Sequence, residues 1–297
     1  MIHKREAAEK IMYYLFTAIG CAAVLIVLLI MVFLFKEGLP IFKVVSVKDM
    51  IFGNFWYPTS DPADFGIFPL IMASVWVTLL SALLSVPLGV MTAIYLAEIA
   101  SKRFAEFVKP TVELLAALPS VVIGFFGMVL VAPFLQETFD LPTGLNLFNA
   151  SLMLAFMSIP TICSISEDAI HSVPLALKEA SLALGATHFE TIVRVIIPSS
   201  LSGICTAIIL GMCRAIGETM VVLMVAGGAA MVPASIFNPV RPMPASIAAE
   251  MGEAPVGSDH YHALFAIGIV LFIFTLIFNV VADQITHRFR QTGEASL

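Results

Sequence analysis

Charge is scarce in this sequence. Only 12% of its 297 residues are Asp, Glu, Lys or Arg, against about a quarter in an ordinary soluble domain, while 60% are hydrophobic. That balance excludes a water-soluble globule. The net charge of -6 describes loops and tails and leaves no basic groove, which sets nucleic acid aside as a partner. Cysteine is equally sparse: Cys21, Cys163, Cys205 and Cys213 lie in apolar stretches, lack the close pairing of zinc or disulfide frameworks, and read as small core residues. No G-x-x-x-x-G-K-[ST] loop occurs, so any ATP is handled by another polypeptide. The apolar stretches hold neither a Ser-His pair nor two aspartates, which removes intramembrane proteolysis. Internal repeats, low-complexity tracts and long linkers are absent as well.

What the chain has instead is long uncharged runs: 11–35, 66–97, 114–136, 141–166, a broken stretch from about 195 to 240, and 263–282. A bilayer core of about 30 Å takes about 20 helical residues, so these predict six crossings in one all-α membrane domain. The run from Ile11 to Phe35 follows Lys4-Arg5 but is too long for a signal peptide and reads as a retained helix. The fifth stretch is too long for one crossing, since about 40 helical residues extend about 60 Å, and its helix is placed near 199–225. Pro69, Pro87, Pro119, Pro133 and Pro160 fall inside spans and predict kinked helices. After Ala226 come Gly227, Gly228 and four prolines between 233 and 244, which predicts a loop or shallow re-entrant segment outside the bundle.

The expected organisation is an N-terminal helix with an external loop (1–65), a membrane core (66–285) and a cytoplasmic tail (286–297). Placing Lys4, Arg5, Lys10, Lys102, Arg103, Lys109, Lys178, Arg194, Arg288 and Arg290 on one side leaves Lys36, Lys43, Lys48 and Arg241 on the other. The positive-inside rule then puts both termini in the cytoplasm. The external loop carries Trp56, Tyr57 and Pro58 and is expected to order against the membrane face.

Between the fourth and fifth spans, residues 172–198 predict a cytoplasmic helix-turn-helix. Ser172 caps a helix with Pro174 in its first turn, Gly185 ends it, and Phe189 begins a second short helix leading to Pro198. Leu175, Ala176, Ala180 and Leu184 face either a partner or the bundle. Local physics alone is equally satisfied by an amphipathic loop packed on the membrane face. The order Glu179-Ala180-Ser181, Gly185, then Val195-x-Ile197-Pro198 resembles the EAA loop of bacterial ABC-importer permeases, with matching spacing throughout. Ser181, Val195 and Ile197 stand where that pattern has Ala, Ile and Leu. The resemblance implies the type I ABC-importer permease fold and a loop that docks on a cytoplasmic ATPase, with Glu179, Ala180, Ser181, Gly185 and Pro198 as its pattern residues. It also implies that ATP and Mg are used by that ATPase and that this chain binds no cofactor.

Arg214 and Glu218 lie within the fifth span, where an unpaired charge costs several kcal/mol. Four residues apart, they share one face of a helix and can neutralise each other. Gly217 beside them admits the close approach of a helix or a ligand. Two readings stay open. The pair fixes helix packing, or Arg214 serves as counter-charge to a transported anion while Glu218 holds the guanidinium between events; a planar, permanently charged fork suits a tetrahedral oxyanion.

The stretch from Arg214 to Gly228 resembles the PstC-type permease subunits of phosphate importers, as do 116–127 and 246–253. The likeness spans roughly 66–285, and its Arg-Ala-Ile-Gly-Glu-Thr core distinguishes it from the sister PstA-type subunit. It implies an inner-membrane permease with Arg214, Gly217, Glu218 and Thr219 in the anion pathway. It further implies a PstA-like second permease, a PstB-like ATPase dimer and a PstS-like extracytoplasmic phosphate-binding protein. One intramembrane arginine does not separate phosphate from sulfate or molybdate. A self-sufficient carrier or channel is a more distant alternative, needing neither ATPase nor docking loop.

His260 and His262, at i and i+2 with Asp259 nearby, make a weak metal site and read as interfacial polar residues; no metal site is expected. Glu250 and Glu253 read as outer-loop carboxylates, either solvated or offered to a binding protein. Phe125, Phe126 and the aromatics of 261–278 read as lipid-facing or packing residues.

Overall fold

The computed structural model describes the backbone of residues 2–294, with the side chains of Lys10 and residues 12–284. Lys4, Arg5, Arg288 and Arg290, counted above, lie outside the described side chains. Six helical lines are long and apolar enough to cross a bilayer: 12–43, 68–99, 120–139, 147–171, 188–216 and 259–284.

The first line is α1 (Ile2–Gly38), continued by a tight turn over Leu39–Lys43. The loop after it is ordered and packs into the bundle end. It forms α2 (Val47–Phe52) and a two-stranded hairpin, β1 (Trp56–Tyr57) with β2 (Asp64–Phe65), in which Trp56 pairs with Phe65. Trp56, Phe65, Ile41 and Met50 are buried together.

The second line is α3 (Phe68–Ile94), ending in a π turn over Tyr95–Ile99. Pro69 falls in its first turn, where a missing N–H costs nothing, and Pro87 lies in its interior. The third line differs from expectation. Residues 102–116 form a separate amphipathic helix, α4 (Lys102–Ala116), with no buried residue. The chain then breaks at Ala117-Leu118-Pro119, because a residue preceding proline is driven out of the helical region. It resumes as α5 (Ser120–Phe126), a π turn (Gly127–Val131) and α6 (Ala132–Phe139). The span therefore begins at Ser120 and not near 114.

At the centre stands α7 (Leu147–His171), in which 61% of the most apolar window is buried, against none in α1. Asn146 caps it by accepting the Asn149 N–H at 2.9 Å. The Asn149 amide donates to the Gly127 and Gly144 carbonyls, both at 3.0 Å, binding the third line to the fourth. Gly89 of α3 and the glycine at 211 both meet Ile162 of α7, and a β-carbon at either would come within 3 Å of it. Small residues here admit close backbone approach, the usual device where water supplies no force between helices.

Ser172 closes α7 rather than opening the next helix; its hydroxyl donates to the Ala169 carbonyl at 2.7 Å. Next come α8 (Leu175–Ala183) and α9 (His188–Thr191), the latter opened by a reciprocal cap between Thr187 and Glu190, one residue before the Phe189 expected from sequence. A π turn (Ile192–Ile196) leads into α10 (Ile197–Ile216). The helix expected near 199–225 does not exist as one piece. It stops at Ile216, and α11 (Met220–Val225) is separate. Gly217 is a poor helix former, and the Glu218 side chain competes for the backbone donors beyond it.

The segment after Ala226 is not outside the bundle. Residues 227–242 fold back, Gly227 bridging Val240, and α12 (Met243–Glu250) packs with Met243 to Ser246 buried. The Met243 N–H donates to Ser74 Oγ of α3 at 2.9 Å, both groups buried. The chain ends with α13 (Asp259–Glu294), against which α1 and α10 lean.

Candidate functional site

Two places carry the residues singled out from sequence, and they sit at opposite ends of one rod. From Pro198 to Arg214 is sixteen helical residues, about 24 Å of α10.

At the near end, α8 offers an unpartnered face. Leu175, Leu182 and Leu184 are exposed, Leu184 at 90%, and Phe189 beyond the turn joins them. Glu179 and Ala180 are exposed as well, so this side of the helix is available to a partner. Gly185 ends the helix with φ +88°, a conformation L residues adopt reluctantly, which explains why that position is glycine although nothing crowds it. Ser181 instead turns inward, its hydroxyl 3.0 Å from that of Thr191. Neighbouring ionic contacts hold this end of the bundle: Lys109 of α4 reaches Glu167 at 3.3 Å and Asp168 at 3.2 Å. Burial alone would depress the Lys109 ammonium, but the hydrogen bond to Asp168 and the two carboxylate charges outweigh it and hold it above its ordinary value.

At the far end lies the break between α10 and α11. It corrects the expected Arg214–Glu218 pair: among the described residues no ion pair joins them, because the helix that would align them ends in between. Arg214 is half-buried, and its guanidinium reaches only neutral groups, Thr161 Oγ1 and the Ala116 carbonyl, each at 3.5 Å. It lies in the last turn of α10, where helix carbonyls favour a cation. Glu218 turns the other way and accepts the Met220 and Val221 N–H groups at 3.1 and 3.3 Å, at the start of α11. Each charge thus stands at a helix end, and neither answers the other. Gly217 has ordinary helical angles, is exposed, and a β-carbon there would meet only the Cys213 carbonyl at 3.7 Å, so no helix approaches it closely. The Thr219 hydroxyl lies 3.4 Å from the Gly217 carbonyl.

The Ala116 contact brings two breaks together. Ala116 is the last residue of α4, so Arg214 at the end of α10 reaches the end of α4, and beyond the breaks α5 packs on α11. Discontinuous helices meeting inside a membrane domain are a recurring way to place polar groups along a transport path. Sequence reasoning found Arg214 but missed Thr161 and Ala116, which are 53 and 98 residues away; the proline at 119 was the only local signal.

A third polar group gathers on the hairpin side, and it overturns the reading of Glu250 as a solvated loop carboxylate. Glu250 accepts from Trp56 Nε1 at 3.1 and 3.0 Å and from Arg241, and lies 2.8 Å from His260 Nε2. Above it opens a cavity of about 570 Å³ edged by Tyr57, Met231 and Glu253. His262 Nδ1 lies 2.7 Å from the Glu37 carbonyl, turned away from His260. Among the described residues no three His, Cys, Asp or Glu gather as a metal would require.

A six-span bundle with an exposed loop helix before a broken fifth span is the architecture of an ABC-importer permease, a multi-pass inner-membrane protein. Residues 85–291 match the family described as binding-protein-dependent transport system inner membrane component, and the chain belongs to that family. It is 37% identical over 273 residues to the probable ABC transporter permease protein YqgH of Bacillus subtilis, covering 91% of this chain and 88% of that one. It is 34% identical to the phosphate transport system permease protein PstC of Mesorhizobium japonicum, covering 78% and 76%. Among solved structures, the inward-facing MetNI methionine ABC transporter superposes with a TM-score of 0.56 at 20% identity, covering 75% of this chain and 94% of that one. The bacterial alginate ABC transporter in complex with a pentasaccharide-bound periplasmic protein gives 0.57 at 17%, covering 90% and 93%. These structural likenesses speak to the fold alone.

Proposed function

We propose that this chain is the phosphate-conducting permease subunit of an ATP-driven importer, with Arg214 as the cation that meets the anion on its way through. The observation that carries this reading is that, among the described residues, Arg214 has no carboxylate partner: its charge stands at the junction of two helix breaks beside a hydroxyl and a carbonyl. A guanidinium left so is free to form charge-assisted, bidentate bonds with an oxyanion. Gly217, Glu218 and Thr219 line the same break. Phosphate is favoured over sulfate or molybdate by the Arg-Ala-Ile-Gly-Glu-Thr core and by relatives named PstC.

In this reading the α8 face is cytoplasmic, as are both termini. The exposed residues of α8, with Glu179, Ala180 and Gly185, receive a separate ATPase, where ATP and Mg are used. A second permease subunit completes the pathway, and an extracytoplasmic phosphate-binding protein delivers the anion. The test is to purify the chain from its native membrane with whatever accompanies it and measure labelled phosphate uptake in proteoliposomes. Uptake that needs ATP, and that excess sulfate and molybdate leave unaffected, is expected. Uptake by the chain alone, or competition by sulfate, overturns the reading.

A further inference from the structure

The face of α8 turned toward the bundle has its own chemistry. Leu177, Lys178 and Ser181 lie at i, i+1 and i+4 and are the partly covered positions of a helix with no fully buried residue. Attachment of α8 to the membrane domain therefore depends on these few contacts. Leu177 packs on the apolar cluster of Ala93, Leu96, Ile170 and Ile192. Such a contact is non-directional and can slide. The other two are directional.

Lys178 Nζ donates to Glu98 Oε1, a link across 80 residues of chain. The two side chains are only 19% and 7% exposed, so water competes weakly for either charge. Glu98 belongs to the π turn that ends the second span. On the other flank, the Thr191 hydroxyl donates to the Thr187 carbonyl at 3.0 Å, which leaves Ser181 as the donor in the Ser181–Thr191 contact. Thr191 ends α9 and immediately precedes the π turn that follows it in the fifth helical line. One link thus ends on a π turn and the other on the residue just before one; a π turn carries one residue more than an α turn and marks the less regular part of its helix.

We infer that Lys178 and Glu98 are positioning residues that carry displacement of α8 into the second span, while Ser181 and Thr191 carry the same displacement into the fifth, so that the two spans move together. The inference rests on the reading above that a partner ATPase drives α8. It predicts that loss of the ion pair leaves ATP turnover running but detached from transport.

The experiment uses the intact complex in proteoliposomes and reads phosphate taken up per ATP hydrolysed. K178M, which keeps the aliphatic stem on an otherwise exposed helix, is expected to assemble, hydrolyse ATP and lower that ratio at least fivefold. E98K is expected to lower it further, and the exchanged pair K178E/E98K to recover at least half of the parent ratio. A purely architectural ion pair would lower the amount of assembled complex and leave the ratio of what remains unchanged. An unchanged ratio in K178M, or no recovery in the exchanged pair after both single changes have lowered it, overturns the inference. Should E98K fail to assemble, K178M decides the matter by itself. A parent complex without an ATPase, or one that moves no phosphate, overturns the reading of function instead, so the two failures are told apart.

Discussion

Glu250 and Arg214 are both charged, both partly sheltered and both part of the second half of the chain, yet they are built in opposite ways. Around Glu250 the carboxylate is answered: it gathers Trp56 from the hairpin, 194 residues away, together with Arg241 from the fold-back and His260 from α13, which flank it in sequence. Around Arg214 the nearest groups are neutral, and the one acidic side chain within reach along the chain has turned to cap another helix. A saturated cluster has nothing left to offer a ligand and serves the architecture. An unsaturated cation retains its capacity for a passing anion, and its desolvation cost is carried by the rest of the fold.

The contrast is broken most strongly at Arg214. R214A is expected to reduce phosphate uptake at least a hundredfold, since charge-assisted hydrogen bonds are worth about 1.5–3 kcal/mol each and a tenfold change is about 1.4 kcal/mol. Assembly and thermal unfolding should remain those of the parent; near-normal uptake returns Arg214 to a packing role. At Glu250 the opposite outcome is expected. E250A leaves Arg241 unanswered and should cost about 2–4 kcal/mol of stability, seen as a lowered midpoint of thermal unfolding in detergent. An unchanged midpoint would mean the cluster is ornamental. A smaller effect is expected at the near end of the rod: G185A places a β-carbon on a residue at φ +88°, a strain of about 1–2 kcal/mol, and should reduce uptake severalfold while ATP hydrolysis continues. Equal losses of both would point to failed docking instead. The least effect belongs to E218Q, which keeps an oxygen acceptor for the Met220 and Val221 N–H groups. Uptake within about threefold of the parent is expected on the scale of one weakened hydrogen bond. A loss comparable to that of R214A would make Glu218 the working partner of Arg214.

The spans and the loop helix were legible because their signals are local. Apolar length sets a crossing, and the φ demanded at Gly185 and the spacing from Glu179 to Pro198 mark the loop without reference to anything distant. The break after Ile216 was not legible. Apolar residues continue on both sides of it, glycine is common in membrane helices, and a four-residue spacing of opposite charges reads as a helical pair unless one knows that Glu218 caps α11. The Glu250 cluster was hidden for another reason: its tryptophan lies 194 residues away, and a carboxylate in a proline-bounded segment looks solvated until the segment is seen to fold back. The helix at 102–116 was missed because its charged residues end the apolar runs on which the spans were read, and its last turn was taken into the next span.

The two adjoining breaks have a consequence for the solvent. A helix that stops inside a hydrocarbon layer leaves carbonyl and N–H groups that lipid cannot satisfy, each at a cost of several kcal/mol. At 117–119 and 217–219 part of this need is met from within, since the Ala117, Leu118, Gly217 and Glu218 N–H groups donate to carbonyls of the preceding turn and the Ala116 carbonyl accepts from Arg214; on the proposal that Arg214 meets an anion, water reaches the same depth. A membrane-impermeant thiol reagent should reach a cysteine placed at Thr219 and not one placed at Phe125, on the exposed flank of α5. On that reading, hydration around Arg214, as much as the charge itself, sets what an anion must shed to pass.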